Sequence, residues 1–125
     1  MATTAPATFD LERLARAIAA RDAAGQIDQY ALDATVTIVD RISQPGAPKL
    51  LRGRGQIAGW IEDTCSREMT HTVTHKVADE NGAGFVLECR YPDGTNVICA
   101  TLLSLSDGLI SSQTVVQAWD EEASR

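Results

Sequence analysis

No apolar run in this chain approaches the roughly 20 residues that a membrane-spanning helix needs. No basic cluster offsets its acidic excess either, since Lys+Arg number 11 against Asp+Glu 17. The first absence predicts a protein that does not enter a membrane. The second, with a net charge of -6, predicts repulsion from a phosphate backbone and therefore no nucleic-acid partner. The opening Met1-Ala2-Thr3-Thr4-Ala5-Pro6 stretch lacks the positive flank and apolar run of a secretory signal, so a cytoplasmic protein is expected. Cysteine is scarce as well. Cys65, Cys89 and Cys99 have neither the close pairing of a zinc site nor the even number of a disulfide set, and they read as reduced thiols used as small apolar groups. No metal site and no cofactor are expected. There is no repeat, low-complexity tract or internal linker, and 125 residues suffice for one core with a modest cavity. Residues 1–7 are expected to be disordered and residues 8–122 to form a single domain.

What the chain does contain is punctuation. Turn signals at Asn81-Gly82, Pro92-Asp93-Gly94 and Asp107-Gly108 cut the last fifty or so residues into four alternating segments rich in Val, Ile, Thr and Leu. That pattern predicts an antiparallel meander. Upstream, Leu11, Leu14, Ala15, Ile18 and Ala19 recur at helical spacing from Thr8 onward. Gly25 is expected to end that helix. A shorter helix through Ile27, Tyr30 and Ala31 should then close at Asp33-Ala34, with Asp33 capping the junction. Thr35–Val39 reads as the first strand, residues 43–48 as a loop and Lys49–Arg52 as a short return strand. Ile57, Trp60, Ile61 and Cys65 share one face of a third helix. Helices followed by strands predict an α+β fold with the helices packed on one face of the sheet.

The turns sort the sheet faces. A type I turn at Pro92-Asp93-Gly94 with a left-handed Gly94 pairs Cys89 with Val97, Leu87 with Cys99 and Phe85 with Thr101. A two-residue primed turn at Asp107-Gly108 pairs Ser106 with Leu109. Carried along the strand, that register puts Thr114, Val116, Ala118 and Asp120 on the same inner face. It leaves Val86, Glu88, Arg90, Asn96, Ile98, Ala100, Leu102, Gln113, Val115, Gln117 and Trp119 on the outer face. The large apolar residues Ile98, Leu102, Val115 and Trp119 gathered there predict a homodimer through that face.

In Met69–Val77, His71, Val73, His75 and Val77 alternate with Thr70, Thr72, Thr74 and Lys76. A three-residue loop at Asn81-Gly82 puts both histidines inside; a two-residue loop puts Lys76 inside instead. An unpartnered buried lysine is costly, so the histidines are expected inside. Two histidines alone make no metal site.

Asp33-Ala34-Thr35-Val36, then Arg52-Gly53-Arg54-Gly55-Gln56-Ile57 opening a helix, then the Thr70-x-His strand and the final Gln117-Ala118-Trp119 follow the order seen in SnoaL-like proteins and ketosteroid isomerases. Over nearly its whole length the chain resembles this NTF2-like superfamily. The resemblance implies a cone, with three N-terminal helices on a curved, mostly antiparallel sheet around a hydrophobic pocket. In scytalone dehydratase, another member, the strand resembling residues 69–77 supplies a catalytic histidine, and His71 is the matching position. His75 falls where many SnoaL-like proteins carry asparagine. The tyrosine, general base and carboxylic acid of the isomerases fall at about Ala17, Ile38 and Thr101. With all three groups missing, steroid isomerisation is excluded as an expectation.

Two classes of function follow. One is a cofactor-independent cyclase, dehydratase or isomerase acting on an apolar carbonyl compound of polyketide or terpenoid type. The other is a ligand-binding or dimerisation module without catalysis. The candidate acid/base residues are His71, Asp40 at the end of the first strand and Asp120. Tyr30, Trp60, His75, Phe85, Leu87, Val97, Cys99, Thr101, Val116 and Ala118 are the candidate ligand contacts. Cys89 and Cys99 face inward with no neighbouring base visible in sequence, which argues against a nucleophile. Arg52 and Arg54 are expected at the surface, placed to meet an anionic substrate at the mouth.

Overall fold

The computed structural model describes residues 8–120. The expectations for residues 1–7, and for the last two residues of the 8–122 domain, lie outside the described residues. Helices α1 (Leu11–Ala19) and α2 (Ala23–Ile27) precede strands β1 (Tyr30–Val39) and β2 (Lys49–Arg52). Helix α3 (Gly53–Ser66) leads into β3 (Thr70–Ala78), β4 (Gly82–Arg90), β5 (Asn96–Ser106) and β6 (Leu109–Trp119). The six strands form one sheet in the order β2-β1-β6-β5-β4-β3. Every neighbouring pair is antiparallel except β1 with β6. The architecture is α+β, and only two of the three helices are N-terminal to the sheet. No helix among the described residues is long and apolar enough to cross a membrane.

Capping aspartates define the first two helices. Asp10 Oδ1 accepts from Arg13 N at 3.1 Å, and α1 buries Leu11, Leu14, Ala15, Ala17 and Ile18. The backbone breaks at Arg21, whose φ is 54°. Asp22 then restarts a helix by accepting from Gly25 N at 3.0 Å. Gly25 therefore lies inside α2 rather than ending a helix. A Cβ there would sit 2.5 Å from Asp22 Oδ2, so glycine is what lets the capping carboxylate close in. The short helix expected to run to Asp33-Ala34 stops at Ile27, and Tyr30 opens β1. Tertiary bonds override the helical spacing here: Gln29 O accepts from Ile110 N of β6 at 2.8 Å, and Tyr30 O accepts from Arg54 Nε and Nη2 at 3.0 and 2.6 Å. Asp33 is exposed within an irregular stretch of β1, between the Tyr30–Ile110 and Thr35–Ser112 pairs, and is not a helix cap.

The β4–β5 hairpin has the expected register, pairing Cys89 with Val97, Leu87 with Cys99 and Phe85 with Thr101. Its turn has Gly94 at φ 93° and Tyr91 N bonded to Thr95 O. The β5–β6 turn is primed, with Asp107 and Gly108 at φ 52° and 77°, and Ser106 pairs with Leu109.

Both flanking strands then depart from the alternation. In β6 the register shifts between Leu105–Ile110 and Ser104–Ser112. Ser111 is the extra residue, and its hydroxyl donates to Ser104 O at 3.0 Å. One extra residue inverts the parity of all that follows. Gln113, Val115, Gln117 and Trp119 turn to the helix side, while Val116 is 48% exposed on the other. The expected inner positions of Val116 and Ala118, and the outer positions of Val115 and Trp119, are thereby corrected.

In β3 the shift lies between Thr74–Val86 and Val77–Gly84. His75 occupies it with φ 54° and is exposed. The turn beyond is the tight one that sends Lys76 to the helix side, where Nζ meets Glu12 Oε1 of α1 at 2.9 Å. The bulge restores the opposite parity for His71, which is buried. Both strand readings were thus half right: His71 and Lys76 share a side, and His75 is not inside.

The core lies between the helices and the inner sheet face, with Val36, Ile38, Ile57 and Ile110 its most completely buried large side chains. The opposite face leaves Val77, Ile98, Leu102 and Val116 substantially exposed.

Candidate functional site

A cavity of about 390 Å³ lies between the helices and the inner sheet face. Its apolar wall comes from Leu14 and Ile18 of α1, Trp60 and Ile61 of α3, and Phe85, Leu87, Val97 and Val115 of the sheet. Each reaches it by simple periodicity. The α1 pair stands four residues apart on one helix face, and the sheet residues alternate along β4, β5 and the shifted β6. Ile38 and Thr101, where the isomerases carry their base and acid, are both in the wall. Ala17 is buried in α1 and is not among the lining residues.

Two clusters of buried polar groups face the cavity. His71 on β3 stands opposite Cys89 on β4, and its Nδ1 lies 3.2 Å from Cys89 Sγ. Cys99, across the β4–β5 ladder, also faces the cavity. A hydrogen bond from the Cys99 thiol, then one from His71 and the imidazole charge, lower the Cys89 pKa below that of an ordinary thiol despite burial. The same contact with Cys89, together with burial, raises that of Cys99. A second group joins Tyr30 and Gln113, both buried, with the phenol donating to Gln113 Oε1. Burial raises the pKa of this phenol, which stays a neutral donor.

The mouth is aromatic and charged. Trp119 stacks on Tyr91 with ring centroids 5.9 Å apart, and the Arg41 guanidinium lies 4.2 Å above the Trp119 ring. Arg67 Nη1 donates to the Tyr91 hydroxyl at 3.3 Å and Nη2 to Asp63 Oδ2 at 2.6 Å. This chain of contacts links the β1–β2 loop, β6 and the end of α3 around one opening.

The structure therefore brings together His71, Tyr30, Trp60, Phe85, Leu87, Val97, Cys99 and Thr101 of the expected set. Tyr30 does so from a strand rather than a helix. His75, Val116 and Ala118 are not lining residues, because the two bulges turn them away. Asp40 borders the cavity, but its Oδ1 accepts from Ile42 N and Ser43 N at 3.0 and 2.7 Å and closes the turn after β1. Asp120 lies outside the cavity, in a shallower depression at the mouth, and its Oδ2 accepts from Asn96 N and Nδ2. Neither carboxylate partners His71; the imidazole's partner is a thiol. Arg54 is tied to Tyr30 O rather than waiting at the mouth. Cys89 faces inward as expected, but its pairing with the base beside it, His71, was missed. Gln113, Gln117 and Trp119 were missed as lining residues because their places required the Ser111 shift. Among the described residues, no group of three or more His, Cys, Asp or Glu side chains is placed to hold a metal ion.

Solved structures share this architecture. An NTF2-like protein of unknown function from Mesorhizobium loti superposes with a TM-score of 0.76 at 13% identity, over 86% of this chain and 87% of that one. The chain has the NTF2-like fold. A candidate ketosteroid isomerase from Kribbella flavida DSM 17836 gives 0.72 at 18% identity, over 92% and 78%. SalBIII, an epoxide hydrolase/cyclase-like enzyme of pyran ring formation in the polyether salinomycin, gives 0.66 at 18%, over 86% and 87%. No family model and no curated protein matches the sequence. At these identities the likeness is one of fold, and function has to be argued from the NTF2-like cavity itself.

Proposed function

We propose that the cavity binds a small, mostly apolar carbonyl compound and that His71 moves a proton on it, in a cyclisation, dehydration or isomerisation that uses no cofactor. The observation that supports this reading is a buried imidazole set among apolar side chains in a chamber of about 390 Å³, within the roughly 300–1,000 Å³ typical of small-molecule sites. The Cys89 contact holds Nδ1. Among the described residues Nε2 has no protein partner, so it is the nitrogen left to face a ligand. Tyr30 and Thr101 supply further donors along the wall. The fold neighbour SalBIII, which acts in pyran ring formation, is consistent with ring closure on such a ligand. Native mass spectrometry of protein purified from its own host tests the reading. A retained neutral organic molecule, weakened or lost in His71→Gln, is the expected result. An empty cavity in protein that has never been exposed to denaturant would count against it.

A ligand-binding module without turnover is the second reading. It is favoured by Asp40 and Asp120 both accepting from backbone N–H groups, those of Ser43 and Asn96, which leaves His71 without a carboxylate. Turnover assays on any retained ligand separate the two readings. We further propose that two copies pair through the outer sheet face, where Val77, Ile98, Leu102 and Val116 stand exposed together. Sedimentation should show a dimer that Leu102→Glu splits; a wild-type monomer at micromolar concentration would refute the pairing.

A further inference from the structure

We infer that Cys89 and His71 form a nucleophilic pair that adds reversibly to an α,β-unsaturated carbonyl compound in the cavity. The inference rests on the proposed small-molecule cavity and adds to it both a nucleophile and a substrate class. Three observations carry it. Cys89 Sγ is 3.2 Å from His71 Nδ1, close enough for direct proton exchange. Both residues line the same chamber, Cys89 7% and His71 8% exposed. Cys99 lies on the same wall from the next strand, beside Phe85, Leu87 and Val97. A structural thiol packed in a core needs neither a cavity nor an imidazole. The lowered pKa of Cys89, caused by the Cys99 and His71 hydrogen bonds, points the same way.

The chemistry follows from the pair. His71 takes the thiol proton, and the sulfur lone pair forms a bond to the β-carbon of the enone. The C=C electron pair moves to the α-carbon, giving an enolate. The imidazolium then returns its proton to that carbon. Reversal breaks the carbon–sulfur bond and re-forms the double bond after free rotation about the intervening single bond. No oxidant, reductant or co-reactant is consumed, and the soft thiolate favours conjugate attack in a chamber whose walls suit an apolar skeleton.

N-phenylmaleimide, itself a neutral α,β-unsaturated dicarbonyl, is the probe, applied to fully reduced protein near pH 6.5 with labelling rates read by peptide mass. Cys65 is the internal control, since it is partly exposed and burial raises its pKa. The expected result is that buried Cys89 is labelled at least tenfold faster than Cys65. His71→Gln should slow Cys89 at least tenfold and leave Cys65 unchanged. Cys89 labelled no faster than Cys65, or a Cys89 rate untouched by His71→Gln, overturns the pair. Should His71→Gln unfold, the wild-type rate ratio alone decides. A slow Cys89 in protein that still retains a host ligand refutes the thiol and leaves the cavity reading standing. A fast Cys89 with no retained ligand does the reverse. For wild type, cyclohex-2-enone should give an adduct in intact mass spectra that disappears on dilution; a permanent adduct would contradict reversibility.

Discussion

The β4–β5 hairpin and the strands on either side of it obey the same alternation, yet only the hairpin keeps it from end to end. All nine pairs from Gly82–Ser104 to Arg90–Asn96 run without interruption. β3 and β6 each insert one residue, His75 and Ser111, and each changes face at that point. The inserted residues are not defects. The Ser111 shift brings Trp119 and Gln113 to the cavity side, and the His75 shift allows buried His71 and ion-paired Lys76 to occupy one side of a single strand. A regular hairpin builds a wall, whereas bulged flanks choose which side chains that wall presents.

Shifting β6 by one further residue is the harshest way to test this comparison. Inserting one alanine between Gln113 and Thr114 would carry the rest of β6 one step out of register, sending Val115 and Trp119 outward. It should abolish cooperative folding or cost more than about 4 kcal/mol in urea titrations; near-native stability would show that the register is other than described. Substitution at adjacent β6 positions is gentler. Val115→Asp should cost about 3 kcal/mol or more by placing a charge in the core, while Val116→Asp should cost under about 1 kcal/mol of protomer stability. The reverse order in denaturant melts would return the faces to simple parity.

Tyr30→Phe strips Gln113 of its donor and should cost about 1–3 kcal/mol. It also carries a pH signature. Because burial raises the Tyr30 pKa in the folded state, the unfolded chain gives up this proton first. The Tyr30 contribution is full below about pH 10 and is lost as pH rises beyond it. Melting temperatures should therefore fall less steeply above about pH 10 in the phenylalanine variant than in wild type. The smallest effect is expected at His75, whose φ of 54° is uncomfortable for a side chain with a Cβ. His75→Gly should stabilise by about 1 kcal/mol or less, and a clear loss of stability would assign the imidazole a role that its exposure does not suggest.

Much of this was legible. Asp107-Gly108 and Pro92-Asp93-Gly94 announce their turns because φ > 0 is tolerated chiefly by glycine, asparagine and aspartate, and Lys49–Arg52 emerged as a strand with its observed bounds. The lining residues of the β4–β5 hairpin, from Phe85 through Thr101, followed from one turn. Tyr30 was misassigned because its helical spacing with Ile27 is local, while the bonds that hold it in β1 come from Arg54 and the chain beside Ile110. Lys76 was misjudged for the same reason: its partner Glu12 is 64 residues away.

The sequence by itself determined the α+β class, the strand count of the C-terminal meander and the regular hairpin at its centre, since these rest on periodicity and turn chemistry within a few residues. Tertiary structure alone decided the faces of β6 and of the far end of β3, the pairing of His71 with Cys89, and the meeting of Arg41, Trp119 and Tyr91 at the mouth. A bulge leaves no mark in composition. It forms where packing against β1 and α1 favours one extra residue over an unbroken ladder, and that balance is set by neighbours distant in the chain.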